Sequence, residues 1–274
     1  MEERAVAGVR GLNSAVDLVR YAVRDGVAWL TLDDPPVNGY SHEMMLALDA
    51  RILAARFDEN VHVLVLTGAG DKFFCAGASI PKLQAMTPAF KYYFCLHANE
   101  TLLRLEHTPK LVIAALNGHC VGGGLEVALA CDLRVARQGG GKLGLPEVTL
   151  GVLPGTGGTQ RLARVLGPAR ALDLMVSGRT FDFDEGERLG LVNRIFEGDF
   201  EAKVQEFARS FCPPARASLA VGQIKRAVQT GSALPLESGL ALERELQAKL
   251  FASADCKLGL EAFLQKKAAP FTGK

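Results

Sequence analysis

The 274-residue chain has little that would draw it to a charged or an apolar surface. Lys and Arg number 31 against 30 Asp and Glu, a formal net charge of +1. Such a balance gives no general attraction to nucleic acid or to an anionic membrane, so an anionic ligand would have to be recognised locally. Aromatic residues make up 7%, and they form no basic-aromatic stripe on which bases could stack. No apolar run is longer than a strand, which excludes a bilayer-spanning segment. The first sixteen residues hold no apolar h-region and contain Glu2 and Glu3, with Asp17 close behind. That argues against a secretory signal and against an acid-poor transit peptide. There is no Cys-x-x-Cys and no His-x-x-x-His, so spacing points to no metal site. Cys75, Cys95, Cys120, Cys131, Cys212 and Cys256 are widely scattered, as expected of free thiols in a reducing cytoplasm.

What is present is a globular balance, 49% hydrophobic and 22% charged, which excludes a mainly disordered chain. The length suits one large domain or one and a half, with a sizeable core. Residues 1–16 form an N-terminal extension. Over 17–200 strand and helix patterns alternate, the signature of an α/β fold. Leu18 to Leu32 suggests two strands around a turn at Arg24-Asp25-Gly26, and Ser41 is placed to cap a helix. Val61 to Thr67 and Leu111 to Leu116 have the apolar, β-branched character of buried strands, with a helix over roughly 88–106 between them. Over 201–274 the strand signal disappears. Val204, Phe207, Ala208 and Phe211 share one helix face, Pro213-Pro214 breaks that helix, and further helical segments follow through Glu261–Lys267. An apolar-faced helical tail needs a cover, either the body of the chain or another subunit.

Three segments carry candidate chemistry. In Asn117-Gly118-His119-Cys120-Val121-Gly122-Gly123-Gly124-Leu125-Glu126, glycines precede a good helix former. They let a ligand approach the backbone, where free N–H groups of the first helical turn favour developing negative charge. Taken alone, the same glycines serve equally well for tight packing, with Glu126 complementing the helix dipole. In Leu145-Pro146-Glu147-Val148, a carboxyl in apolar surroundings is expected to hold its proton to higher pH and to act as an acid near neutrality. The Gly-rich turn that follows, Pro154-Gly155-Thr156-Gly157-Gly158, lacks the Gly-Lys-Ser/Thr ending of a nucleoside triphosphate loop. In Phe73-Phe74-Cys75-Ala76-Gly77-Ala78-Ser79-Ile80, small residues would expose backbone N–H groups at a loop. His119 and Cys120 are adjacent, but neighbours on a strand point to opposite faces and would not pair as base and nucleophile.

In this order and spacing the three segments resemble the enoyl-CoA hydratase/isomerase (crotonase) superfamily, over about Leu18 to Lys274. Ser177-Gly178-Arg179, Gly190-Leu191-Val192-Asn193 and Ala262-Phe263-Leu264-Gln265-Lys266-Lys267 extend the resemblance. It implies a crotonase-like spiral of ββα units with a C-terminal helical region that associates as a trimer or a hexamer. It also implies an acyl-CoA thioester substrate, coenzyme A being part of that substrate with no further cofactor. By position, the N–H groups of Ala78 and Gly123 would form an oxyanion hole, while Ala76, Ser79 and Ile80 would line the substrate site. Phe263 and Lys266 would reach coenzyme A from a neighbouring subunit. Glu126 and Glu147 match the family's two catalytic positions; we assign Glu126 to activating water and Glu147 to protonating C2, and since the pair shares a small site the two labels can partly exchange. Keeping both favours an enoyl-CoA hydratase, giving a 3-hydroxyacyl-CoA or the reverse dehydration. The alternatives are a double-bond isomerase, an acyl-CoA hydrolase, and a non-catalytic or RNA-binding member. The sequence departs from the family at Ser79, where many members have Asp. It departs also at Lys142-Leu143-Gly144, in place of an aromatic-Gly run, and at Asn38-Gly39-Tyr40-Ser41, in place of Asn-Ala-Leu at the acyl pocket.

Overall fold

The computed structural model describes residues 18–274, so the expected extension over 1–16 lies outside the described residues. Its strands are β1 (Val19–Arg24), β2 (Val27–Leu32), β3 (Val63–Gly68), β4 (Phe73–Cys75), β5 (Leu111–Leu116), β6 (His119–Val121), β7 (Leu133–Arg137), β8 (Lys142–Gly144), β9 (Phe181–Asp182) and β10 (Arg194–Phe196). Its helices are α1 (His42–Phe57), α2 (Ile80–Ala85), α3 (Pro88–Glu106), α4 (Gly123–Leu129), α5 (Gly158–Leu166), α6 (Pro168–Ser177) and α7 (Phe183–Arg188). The helical tail comprises α8 (Phe200–Arg209), α9 (Ser218–Gly231), α10 (Leu236–Phe251) and α11 (Ala254–Leu264).

Two sheets organise the chain. One has the order β1-β2-β3-β5-β7-β10, the other β4-β6-β8-β9. The hairpin β1/β2 turns on Asp25 and Gly26, both at positive φ (48° and 80°), the two-residue turn whose twist matches the strands it joins. From β2 onward the larger sheet is parallel throughout. Parallel strands are covered on both faces, which is why β5 is buried at all six positions and has no polar alternation. Alternate residues go to opposite layers. Leu64, Leu66, Val112 and Ala114 face α1 and α3 in the main core, which reaches Phe74 and Cys120 in the smaller sheet. Val63, Val65, Ile113 and Ala115 face the other way, onto Val204 and Ala208 of α8. The face expected on Val204, Phe207, Ala208 and Phe211 is therefore covered by the body of the chain.

Ser41 caps α1 as expected, its Oγ accepting from the Met44 N–H at 3.2 Å. The last helix is shorter than the sequence suggested and stops at Leu264 rather than running to Lys267. Lys266 takes a left-handed conformation (φ 54°), its N–H donating to the Phe263 carbonyl while that of Lys267 donates to Ala262. Those paired bonds satisfy the last carbonyls and close the helix.

A buried ion pair ties α9 to the sheet. Lys225 Nζ lies 2.9 Å from Asp132 Oδ2, with side chains 3% and 9% exposed. The ammonium also donates to the Leu105 and Lys110 carbonyls, and Asp132 accepts from the Val112 N–H and from Gln229. Burial acts against both charges, raising the Asp132 pKa and lowering that of Lys225, and each charge compensates the other. Lys225→Met would strand the carboxylate, so the variant should lose about 3–5 kcal/mol of stability. Urea unfolding checks this, and a midpoint within error of the parent would show that the pair contributes nothing.

Candidate active site

Three neighbouring strand ends deliver the three sequence segments to one place. In the smaller sheet β4 runs parallel to β6, and β6 parallel to β8. Immediately beyond their carboxyl ends come Ala76-Gly77-Ala78, Gly122-Gly123 and Leu145-Pro146-Glu147. Adjacent strands lie about 4.8 Å apart, so segments distant in sequence become neighbours at the sheet end, where parallel sheets bind ligands. The loops are bonded together as well. Tyr40 N–H donates to the Gly77 carbonyl and Gly122 N–H to that of Gly144, each at 2.9 Å. Gly122 precedes α4 with φ 56°, a left-handed turn that aims the helix start at the cavity.

The N–H groups of Ala78 and Gly123 both border this cavity, and neither donates to another group among the described residues. For Gly123 the reason is its place at the start of α4, since first-turn N–H groups have no intrahelical acceptor. A Cβ on Gly77 would lie 3.5 Å from the Gly123 nitrogen, so the two donor-bearing loops are in contact. The pair can bind one anionic or polarised oxygen.

The two glutamates differ in character. Glu126 is 3% exposed and held by three donors. Its Oε1 accepts from the N–H groups of Thr156 and Gly158, both at 2.8 Å, and its Oε2 from the Thr156 hydroxyl. Arg161 braces that loop by donating to the Thr156 carbonyl while forming a two-point pair with Glu106. Glu147 opens a short 3-10 turn, and its Oε2 is buried without a hydrogen-bond partner among the described residues. Burial is the main reason its pKa rises to about 7. A backbone hydrogen bond opposes that rise, the nearby Glu126 charge adds to it and Lys91 offsets part of it. One carboxylate is thus fixed in orientation, and the other holds a proton near neutrality.

The cavity measures about 740 Å³. Ile80, Leu83 and Met86 line one side and Leu150, Val152 and Leu153 another. Ala76, Ala78, Ile80, Gly123, Glu126 and Glu147, all singled out in the sequence, meet there. Ser79 stands beside the cavity as the N-cap of α2 and makes no side-chain cap bond. Phe263, 82% exposed, and Lys266 lie at the end of the chain's last helix and do not line the cavity of their own chain. Thr156 and Lys91 line it without having been marked for a role, and Tyr40 had been noted only as a departure. Thr156 was in view within the Gly-rich turn, but nothing in that turn's pattern reveals a partner thirty residues earlier.

His119 and Cys120 do not form a nucleophilic pair. Cys120 is fully buried, its thiol pushed well above the usual value by burial, while His119 Nδ1 accepts from the Lys142 N–H. Among the described residues no three His, Cys, Asp or Glu side chains converge as metal ligands, and no helix is long and apolar enough to cross a membrane.

Comparison with known proteins gives concordant results. The family model for enoyl-CoA hydratase/isomerase matches residues 22–274. The short-chain-enoyl-CoA hydratase of Clostridium acetobutylicum is 35% identical over 243 residues, 88% of this chain and 92% of that protein. The crotonyl-CoA hydratase of Syntrophomonas wolfei is 35% identical over 239 residues, 87% of this chain and 91% of that one. A crystal structure of an enoyl-CoA hydratase from Geobacillus kaustophilus superposes with a TM-score of 0.91 at 44% identity, covering 94% of this chain and 97% of the other.

Proposed function

Because the chain belongs to the enoyl-CoA hydratase/isomerase family, we propose that Glu126 and Glu147 divide between them the addition of water to a 2-enoyl-CoA thioester. The chain is an enoyl-CoA hydratase, and its crotonase fold places both carboxylates on one cavity. The observation that carries the division of labour is their unlike character beside two free backbone donors. Glu126, fixed by Thr156 and Gly158, takes a proton from water as its oxygen bonds to C3. The electrons of the double bond shift to the thioester oxygen, where the Ala78 and Gly123 N–H groups stabilise the enolate. Glu147, which holds its proton near pH 7, delivers it to C2. The O–H bonds of water and of Glu147 break, the C3–O, C2–H and Glu126 O–H bonds form, and transfer of a proton from Glu126 back to Glu147 resets the site. No resident cofactor is needed, because coenzyme A arrives as part of the substrate. Mixing the protein with crotonyl-CoA should lower the absorbance of the enoyl thioester to an equilibrium level without release of thiol. Release of free thiol instead would identify a hydrolase.

The proton on Glu147 sets a pH signature. Its pKa rises from 4.5 to about 7 in the folded protein, and the neutral form is the donor. Hydration kcat/KM is then full below about pH 7 and falls as pH rises, about tenfold per unit well above it. Dehydration needs the pair to carry the same single proton, placed on Glu126 instead, and because the overall reaction releases no proton its kcat/KM falls through the same range. A flat hydration profile from pH 6 to 8.5 would contradict this role.

The exposed apolar side chains of the helical tail support a homotrimer or a homohexamer. Leu236, Phe251, Phe263 and Leu264 are 77%, 64%, 82% and 83% exposed, more than a stable monomer leaves uncovered on neighbouring helices. Phe263 and Lys266 would then serve a neighbour's coenzyme A. Light scattering should report a trimer or a hexamer, and a monodisperse monomer would refute the assembly. Scattered free thiols suit a cytoplasmic location.

A further inference from the structure

Tyr40 carries a hydroxyl that the fold leaves unused. The residue lines the cavity and is 4% exposed, and its Oη has no hydrogen-bond partner among the described residues. The rest of the residue is firmly placed. Its N–H donates to the Gly77 carbonyl, on the loop that carries the Ala78 donor. Its ring sits so close to Gly123 that a Cβ there would lie 2.6 Å from ring carbon Cγ, and the Phe94 ring centroid is 5.5 Å away. Two residues earlier, Asn38 Nδ2 donates to the Ala69 and Phe73 carbonyls and pins the loop.

Burying a hydroxyl without a partner is unfavourable, and substituting the same ring without it would cost the packing nothing. A donor kept in such a position is explained by an acceptor that arrives with the substrate. Burial first, and then the neighbouring Glu126 charge, push the phenol pKa well above its usual value, so the group remains a donor. The Thr156 hydroxyl is also beside it and acts against that rise, but it gives its own proton to Glu126 and its lone pairs do not reach hydrogen-bond geometry with the Tyr40 Oη. The oxygen atom that must come to rest against Glu126 is that of the water to be added.

We propose that the Tyr40 hydroxyl donates a hydrogen bond to the oxygen that becomes the 3-hydroxyl, making Tyr40 a third catalytic side chain. This rests on the hydratase reading above. A water donating one proton to Glu126 and accepting from Tyr40 keeps a lone pair for C3, so the two side chains together set its orientation. The oxygen has more hydroxide character in the transition state than in water, and the bond strengthens there. In the reverse direction the same donor assists the departing hydroxyl.

Tyr40→Phe in the full-length protein keeps the ring against Gly123 and Phe94 and removes only the donor. With crotonyl-CoA, kcat should fall about ten- to a hundredfold, the range for a hydrogen bond to a group that gains charge. KM should stay within about twofold, C2 proton exchange of butyryl-CoA should be unchanged, and Tm should not fall. A second measurement needs no turnover. In a Glu147→Gln background, calorimetry should show Tyr40→Phe weakening 3-hydroxybutyryl-CoA about tenfold and leaving butyryl-CoA unaffected. Unchanged kcat, equal weakening of both ligands, or loss of C2 exchange along with hydration would each overturn the proposal. The last pattern would assign Tyr40 to shaping Gly123 instead. A wild-type protein unable to hydrate crotonyl-CoA would refute the hydratase reading, and the calorimetric comparison would still decide whether Tyr40 recognises the 3-hydroxyl.

Discussion

Glu126→Gln and Glu147→Gln should each lower hydration of a 2-enoyl-CoA by about two to four orders of magnitude, the range for a positioned acid or base, with fold and CoA binding retained. The surroundings of Glu126 can accept the change. A glutamine oxygen can take the Thr156 and Gly158 N–H bonds, and its NH2 can donate to the Thr156 hydroxyl, which has lone pairs free. Glu147 should be easier still, since its buried Oε2 has no partner to lose. The two variants should separate in a second assay, the exchange of a C2 proton of butyryl-CoA with deuterated water, followed by mass spectrometry. Exchange needs the oxyanion donors and the group that serves C2, but not the group that serves water. Glu126→Gln should keep measurable exchange and Glu147→Gln should largely lose it. The opposite pattern would mean that the roles are reversed, and equal loss would mean that the pair acts as one unit. Wild-type hydration in either variant would end the two-glutamate mechanism.

Substitution of Gly123 tests the oxyanion donor, and the structure shows how to separate two effects. Alanine keeps the N–H but drives a Cβ into the Tyr40 ring, which is backed by Phe94 and has little room to retreat. Proline produces the same crowding, removes the donor and puts its Cδ where the N–H pointed, so the loss it shows is at least that of the donor. It is otherwise suited to the first position of a helix, where the missing N–H breaks no helical bond. The step from Gly123→Ala to Gly123→Pro should therefore cost about a hundred- to a thousandfold in kcat, the value of one oxyanion donor. Both hydration and C2 exchange should fall by that step, because both pass through the enolate. Circular dichroism establishes that the fold is intact. If the two variants were equally active, the Gly123 N–H would have no part in the chemistry.

The larger sheet was legible because its central strands are buried on both faces and stand out as unbroken apolar runs, as in Leu111 to Leu116. The helix over 88–106 was legible as well, and the structure shows Thr87 capping it and Pro88 opening it. The smaller sheet was not. Its strands are two or three residues long, too short for any period, and the Phe73 to Ile80 segment looked like a loop although it opens with β4. Glu126 and Glu147 were found through the resemblance that their flanking residues carry, since each alone is an ordinary helix-start glutamate. The raised pKa of Glu147 was expected from its apolar neighbours, but the fixing of Glu126 could not be found in the sequence, because Thr156 and Gly158 reach it across thirty residues of chain. Tyr40 stood out in the sequence only by being unexpected, and its relation to Gly123 exists only in three dimensions.

The sheet that separates two apolar layers has a consequence for amide hydrogen exchange. β3 and β5 have paired neighbours on both sides and packed helices or strands above and below. Their N–H groups are kept from water while both layers stay in place, so where the layers come apart together they should exchange at the rate of global unfolding. β1 has one strand neighbour and three exposed positions at its far end, and it should exchange by local fraying. If the second layer detaches first, the protection of β3 and β5 should fall to a common lower value when α8 loosens. Residues of one strand that point to opposite layers would then report the same opening, since the backbone they share is covered only as long as both layers stay in place.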